Sequence, residues 1–188
     1  MAILILGLVI FLGIHTLTTL RGPRAALIGR LGENGYKGLY SLMAAIGLAL
    51  IIWGFGRYRA EGLIAVWNPP LALRHLTMLL VWIAFVSLAA AYSPAGKIKG
   101  WLRHPMLVGV KAWALGHLLV NGDLGGMILF GAFLLWAGYD RIAVKQRGDE
   151  GAPRSGFTLG DGIAIVVGTV AYVAMIWLHP VLIGVSVI

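Results

Sequence analysis

The chain has 188 residues, of which 60% are hydrophobic and only 12% charged, and its mean hydropathy is +0.89. A soluble domain carries about 25% charged residues, so this balance, together with long apolar runs, excludes an ordinary soluble domain and points to an integral membrane protein. There is no cysteine, which removes disulfides, iron–sulfur clusters, zinc–thiolate sites, covalently attached c-type haem and thiol nucleophiles. The formal charge of +8 would suit nucleic acid if it were clustered on one face, and its placement along the chain decides against that reading.

Apolar runs of about 20 residues can cross a bilayer as helices, and six are predicted, over residues 2–20, 36–55, 71–92, 104–120, 124–139 and 162–183. The expected fold is therefore all-α, an integral membrane six-helix bundle, with residues 1–188 forming a single domain. No Lys or Arg precedes the first run and no small-residue cleavage site follows it, so it reads as a retained helix. Arg21, Arg24, Arg30 and Lys37 follow the first span. Lys97, Lys99 and Arg103 precede the fourth, and Arg141, Lys145, Arg147 and Arg154 follow the fifth. Alternate connections carry only Arg57, Arg59 and Arg74. By the positive-inside rule the three basic loops are cytoplasmic and both termini periplasmic. The excess charge is then a topology signal with an attraction to anionic membrane lipid, and no nucleic-acid partner is expected.

Residues 120–124 leave room only for a tight turn, so the fourth and fifth spans are expected to form an antiparallel hairpin. Asn121-Gly122-Asp123 suits such a turn, because Asn and Gly tolerate left-handed backbone and Asp bonds local amides. Trp53, Trp67, Trp101, Trp136 and Trp177 fall near span ends, as an aromatic belt requires. Small residues recur at helical spacing at Gly47 and Gly54, at Gly131 and Gly138, and at Ala164, Gly168 and Ala171, and such faces let membrane helices approach closely.

The stretch from Arg103 to Asp123 concentrates polar groups in an oily setting. Ionisable groups at membrane depth are costly and usually face the bundle interior, so they are functional candidates. His75 beside Arg74 reads as interfacial, and His179 before Pro180 as interfacial or capping. His104 precedes Pro105, a residue well suited to the first helical turn. It shares a helix face with Lys111 two turns on. That pair could hold an anionic group, or Lys111 could extend toward the headgroups.

His15 and His117 lie well inside apolar runs with no acidic neighbour in sequence. A neutral imidazole without a partner in hydrocarbon costs a few kcal/mol, so each needs one. Three alternatives stand on the residues alone: hydrogen bonds between helices, a haem iron gripped by two imidazoles, or another metal. Gly109, Ala112, Ala114 and Gly116 make the fourth span slim, and Gly13 does so beside His15, which would leave room for a flat macrocycle. His15 lies about 8 Å from its cytoplasmic end and His117 about 20 Å, at 1.5 Å per residue. His104 misses the depth of His15 comparably in the other direction, so spacing does not choose the pair.

Arg103-His104-Pro105, Val108-Gly109, Lys111, Trp113, His117-Leu118-Leu119 and Asn121-Gly122-Asp123 resemble the signature of the NnrU family of bacterial membrane proteins. Ile14-His15-Thr16 with Leu20-Arg21, residues 35–42, and His179-Pro180 with Gly184 extend the resemblance over most of the chain. The resemblance implies a role supporting nitrite and nitric oxide reductase activity in denitrification, at the bacterial inner membrane. The same family includes the zeta-carotene isomerase, a haem b enzyme acting on a cis double bond of a carotenoid precursor. The resemblance therefore implies haem b as cofactor, His15 and His117 as its ligands, and either a small gaseous ligand or a polyene substrate as partner. Arg21, Arg24 and Lys111 are then cations available to its propionates, and His104 remains a further candidate at the site. The isomerase carries a cysteine three residues before its second histidine, where this chain has Ala114, so isomerase chemistry that switches to a thiolate ligand is not available here.

Overall fold

The computed structural model describes residues 1–187, which form seven helices: α1 Ala2–Thr19, α2 Arg21–Ala60, α3 Leu73–Tyr92, α4 Lys97–Leu102, α5 Pro105–Leu118, α6 Leu124–Gln146 and α7 Leu159–Ile183. Helices are what a membrane demands, because a spanning segment must satisfy its own backbone N–H and C=O groups. Each of the six predicted spans corresponds to a helix. Five of them (α1, α2, α3, α6 and α7) are long and apolar enough to cross a membrane. The fourth span is realised as α5, 14 residues long, which at 1.5 Å per residue gives about 21 Å of helix.

Two helical stretches go beyond the sequence expectation. Residues 21–35, expected as a loop, are helical apart from a break at Gly32, where φ is 71° and ψ is 167°. Side chains rarely adopt that backbone, so glycine is what permits the kink. Ala25, Ala26, Leu27, Ile28 and Leu31 recur there at helical spacing between arginines, a pattern the count of charges obscured. The second addition, α4, is a short turn of helix between α3 and α5.

By their internal contacts the residues group into two compact units, each drawn from two stretches. One contains Met1–Pro69 and Asn121–Gln146; the other contains Pro70–Val120 and the chain from Arg147 onward.

The first unit holds α1, α2 and α6. The first two lie antiparallel at very close range, and glycines set the distance. A Cβ on Gly7 would lie 2.6 Å from the Ile51 nitrogen, one on Gly47 2.7 Å from the Phe11 nitrogen, and one on Gly54 would strike the backbone of Leu4. Lipid tails are as apolar as leucine, so close packing replaces the hydrophobic effect as the attraction between such helices. Gly47 and Gly54 thus do what their spacing suggested. Gly131 and Gly138 do not, because a Cβ at either position would meet nothing within 4 Å.

In the second unit α3 is the central helix, with α5 and α7 antiparallel to it. Gly168 of α7 sits against the Val86 backbone, and Gly109 of α5 against Ala84 and Leu88. Thr77 donates a 2.8 Å hydrogen bond to the Gly116 carbonyl, and the Trp82 indole donates to Thr169 at 3.0 Å. Thr158 caps α7 in a reciprocal box with Asp161. The Asp161 carboxylate also accepts from the Lys97 and Ile98 amides of α4 at 3.0 and 2.7 Å. This almost fully buried charge therefore ties the start of α4 to the start of α7.

The Asn121-Gly122-Asp123 segment has a different job from the one expected. Instead of merely reversing a hairpin, it pairs with the strap before α3, within the first unit. Val66 and Trp67 donate to the Gly122 carbonyl, Leu124 donates to that of Ile64, and Ala65 bridges Asp123. Asp123 also accepts from the Gly126 amide at 2.8 Å, capping α6. The expected hairpin partners, α5 and α6, belong to different units, and within its own unit α5 packs on α3.

Candidate haem-ligand histidines

His15 lies on α1, half-buried, and its Nδ1–H donates to the Phe11 carbonyl one turn earlier, at 2.6 Å. An imidazole that donates from Nδ1 carries its lone pair on Nε2, so this bond selects the tautomer able to bind a metal and holds the ring in place. Three helices wall the ring. Phe11 of α1 lies 4.2 Å away between centroids, Tyr40 of α2 5.3 Å away edge-on, and Trp136 of α6 5.8 Å away at 86°. Phe133 extends the cluster from Phe11 at 5.7 Å.

Two polar atoms in this neighbourhood are buried without a hydrogen-bond partner: the Tyr36 hydroxyl and the Trp136 indole nitrogen. Leaving such a donor unmet costs about 1–3 kcal/mol, and an unsatisfied buried group usually marks strain, function or a missing ligand. The Arg24 guanidinium lies 5.7 Å from the centre of the Tyr36 ring, so one of the expected cations is beside one of these donors. Arg21 begins the same helix, exposed.

His117 lies on α5, also half-buried, and repeats the local geometry. Its Nδ1–H donates to the Trp113 carbonyl at 2.9 Å, with the Trp113 ring 5.3 Å away. The slimness of α5 around it is already used by α3. Gly109 meets Leu88, Gly116 meets Leu80 and Val81, and Ala114 is fully buried. Those small residues close a helix–helix seam and do not hold space for a macrocycle. Gly13, beside His15, is the one whose Cβ direction is open.

His104 has a different setting. It precedes α5 with Pro105 at the first helical position, and its Nε2 is 3.3 Å from the Asp149 carbonyl. Arg103 before it has a φ of 62°, unusual for a residue with a side chain. The Ala152 amide donates to the Arg103 carbonyl at 2.9 Å, and the Arg103 side chain donates to the Glu150 carbonyl. The Arg-His-Pro element is thus a strained corner braced by the loop before α7. Lys111 lies two turns along α5, half-buried. His75 is exposed, and His179 bonds the Val185 carbonyl at 2.7 Å beyond the end of α7. No group of three or more His, Asp or Glu side chains spaced to hold a metal ion occurs among the described residues.

The residues the sequence reading missed are Tyr36, Tyr40 and Trp136. Trp136 was assigned to the aromatic belt, yet its nitrogen is buried and its ring meets His15. Trp53, Trp101 and Trp177, by contrast, are well exposed as a belt requires. Trp136 falls mid-helix only because α6 runs on to Gln146, past the expected span end at 139, so the sequence carried no signal of the difference.

Around His15 the first unit therefore gathers an imidazole whose Nδ1 is held by a carbonyl, aromatic walls, two unmet buried donors and the Arg24 guanidinium, a set of groups compatible with a haem edge, while His117 belongs to the other unit. No curated protein and no solved structure matches this sequence. The model of the NnrU protein family matches residues 3–187, almost the whole length. The chain belongs to the NnrU family of membrane proteins.

Proposed function

We propose that this protein is a haem b protein of the bacterial inner membrane, with His15 and His117 as the residues that would hold its iron. Its role would be to support nitrite and nitric oxide reduction by responding to nitric oxide or to redox state. The observation that carries this reading is the shared geometry of the two histidines. Both are set on apolar helices, and both donate Nδ1–H to a carbonyl one turn back, the outer bond that metal-binding histidines commonly make.

A haem held there would supply one-electron redox chemistry and a site for a small gaseous ligand. The chain's own residues do the rest. Phe11 and Trp113 fix ring orientation through their carbonyls. Phe11, Tyr40 and Trp136 keep water from the His15 ring, and Tyr36 and Trp136 have hydrogens to donate to an acceptor. Arg21, Arg24 and Lys111 are available to neutralise propionates.

The basic loops place the cytoplasm on their side and both termini in the periplasm. In that topology α5, shorter than a bilayer core of about 30 Å, crosses with its flanking residues in a locally thinned membrane. A reporter fused to the C-terminus should be active in the periplasm and silent in the cytoplasm; the reverse pattern refutes the orientation.

Oxidised and reduced absorption spectra of detergent-purified protein test the haem. Low-spin six-coordinate bands are expected, and they should disappear in His15→Ala and in His117→Ala. A band that survives either substitution removes that residue. Absence of a Soret band from the unaltered protein leaves a haem-free assembly factor. Conversion of a cis-carotenoid by the purified protein would move the assignment to a polyene isomerase.

A further inference from the structure

A second site lies in the unit formed by α3, α4, α5 and α7. A groove of about 270 Å³ is lined by Lys97 and Trp101 of α4 and by Arg154 and Ser155 of the loop between α6 and α7. Its walls are held by particular contacts. Gly100 lets α4 lie directly on the backbone of Pro153, Arg154 and Ser155, where any Cβ would collide. Asp161 anchors the start of α4 through the Lys97 and Ile98 amides, and Thr158 donates to the Ala95 carbonyl at 2.8 Å.

The electrostatics are one-sided. Among the described residues neither Lys97 nor Arg154 has a carboxylate within ion-pair distance. Asp161, whose charge is felt by Lys97, is 3% exposed and already accepts three backbone amides. The Lys97 ammonium stands 4.4 Å from the centre of the Phe157 ring, a cation–π contact that holds its stem along an aromatic face. Two cations from different segments therefore face one groove without an ion pair of their own among the described residues.

The depth of the groove is set by its neighbours. It lies where α3 ends at Tyr92 and α7 begins at Leu159, two helices long and apolar enough to cross a membrane. Around it Tyr92, Trp101, Phe157 and Leu159 are each at least three-quarters exposed. Aromatic rings exposed at helix ends belong to the layer between headgroups and hydrocarbon.

We propose that this groove binds the phosphate of an anionic phospholipid, with Lys97 and Arg154 on the phosphate and Trp101 and Phe157 against the upper acyl chains. Charge complementarity and depth together favour a membrane lipid over free phosphate, which would gain nothing from the aromatic rim.

The test is native mass spectrometry of the detergent-purified full chain, titrated separately with phosphatidylglycerol and phosphatidylcholine, with inorganic phosphate as competitor. Phosphatidylglycerol should be retained in preference, and millimolar phosphate should not displace it. Lys97→Gln with Arg154→Gln should weaken retention at least tenfold, since each juxtamembrane cation contributes severalfold. Ser155→Asp, at an exposed position, should weaken it without disturbing the fold, and Arg30→Gln should leave it unchanged. Equal retention of phosphatidylcholine, displacement by inorganic phosphate, or retention unaltered in both groove variants overturns the proposal.

Discussion

The surroundings of His15 and His117 share one feature and differ in the rest. Both rings hang from a carbonyl one turn back on their own helix. His15 is then enclosed by side chains from three helices, with two unmet donors in the same neighbourhood and an open glycine beside it. The helix of His117 commits its small residues to packing on α3, and even the carbonyl before the histidine accepts from Thr77. The comparison separates two meanings of a small residue beside a functional one. A glycine leaves space only if no neighbouring helix has already filled it.

The strongest break in this comparison would come from the histidines themselves. Loss of the haem bands in His15→Ala but not in His117→Ala would make the first unit the sole protein ligand donor. The expected result is loss in both. Next in size are the glycines. Gly47→Ala puts a Cβ against the Phe11 backbone and should cost about 1–3 kcal/mol by overpacking. Gly131→Ala faces open space and should instead gain up to ~1 kcal/mol from helix propensity. Thermal unfolding in detergent reads both, and equal effects would contradict the assigned packing.

A smaller effect is expected at Tyr36. With no haem present, Tyr36→Phe removes a buried hydroxyl that lacks a partner and should stabilise the protein by about 1 kcal/mol. With haem present the same change should weaken haem retention. A loss of stability in the haem-free protein would show that the hydroxyl already has a structural partner. Thr77→Ala should cost roughly 0.5–1.5 kcal/mol through the lost bond to Gly116, with a slight change in the spectrum of a haem held by His117. The smallest effect belongs to the exposed Arg57–Glu61 pair on α2, 2.7 Å apart. Glu61→Gln should change stability by less than ~0.5 kcal/mol.

Much of this was legible in the linear chain. Mean hydropathy and run length announce helices in a membrane, because a bilayer accepts few other backbones. The alternation of arginine and lysine between loops carries the expected orientation. His15 and His117 stand out because polar residues are rare in such runs. The helix before Gly32 was hidden by its arginines, which read as a loop signal when counted, although Leu27, Ile28 and Leu31 lie on one side of a helix there. The Asn-Gly-Asp segment follows the turn at Leu119-Val120 and pairs in strand-like fashion with residues 64–67, over fifty positions away, a partner that leaves no local trace.

What the amino-acid order determined by itself, then, is the class of solvent, the helices that solvent requires, and which residues are chemically out of place in it. Those are properties of single segments against a uniform surrounding, and a segment carries them wherever it packs. Only the tertiary structure decided which glycines are filled, that Trp136 meets a histidine and not the headgroups, that Asp161 staples α4 to α7, and that Lys97 and Arg154 face one groove. Each depends on which second helix or loop comes within a few ångströms, and that is set by packing between distant stretches that no local pattern encodes.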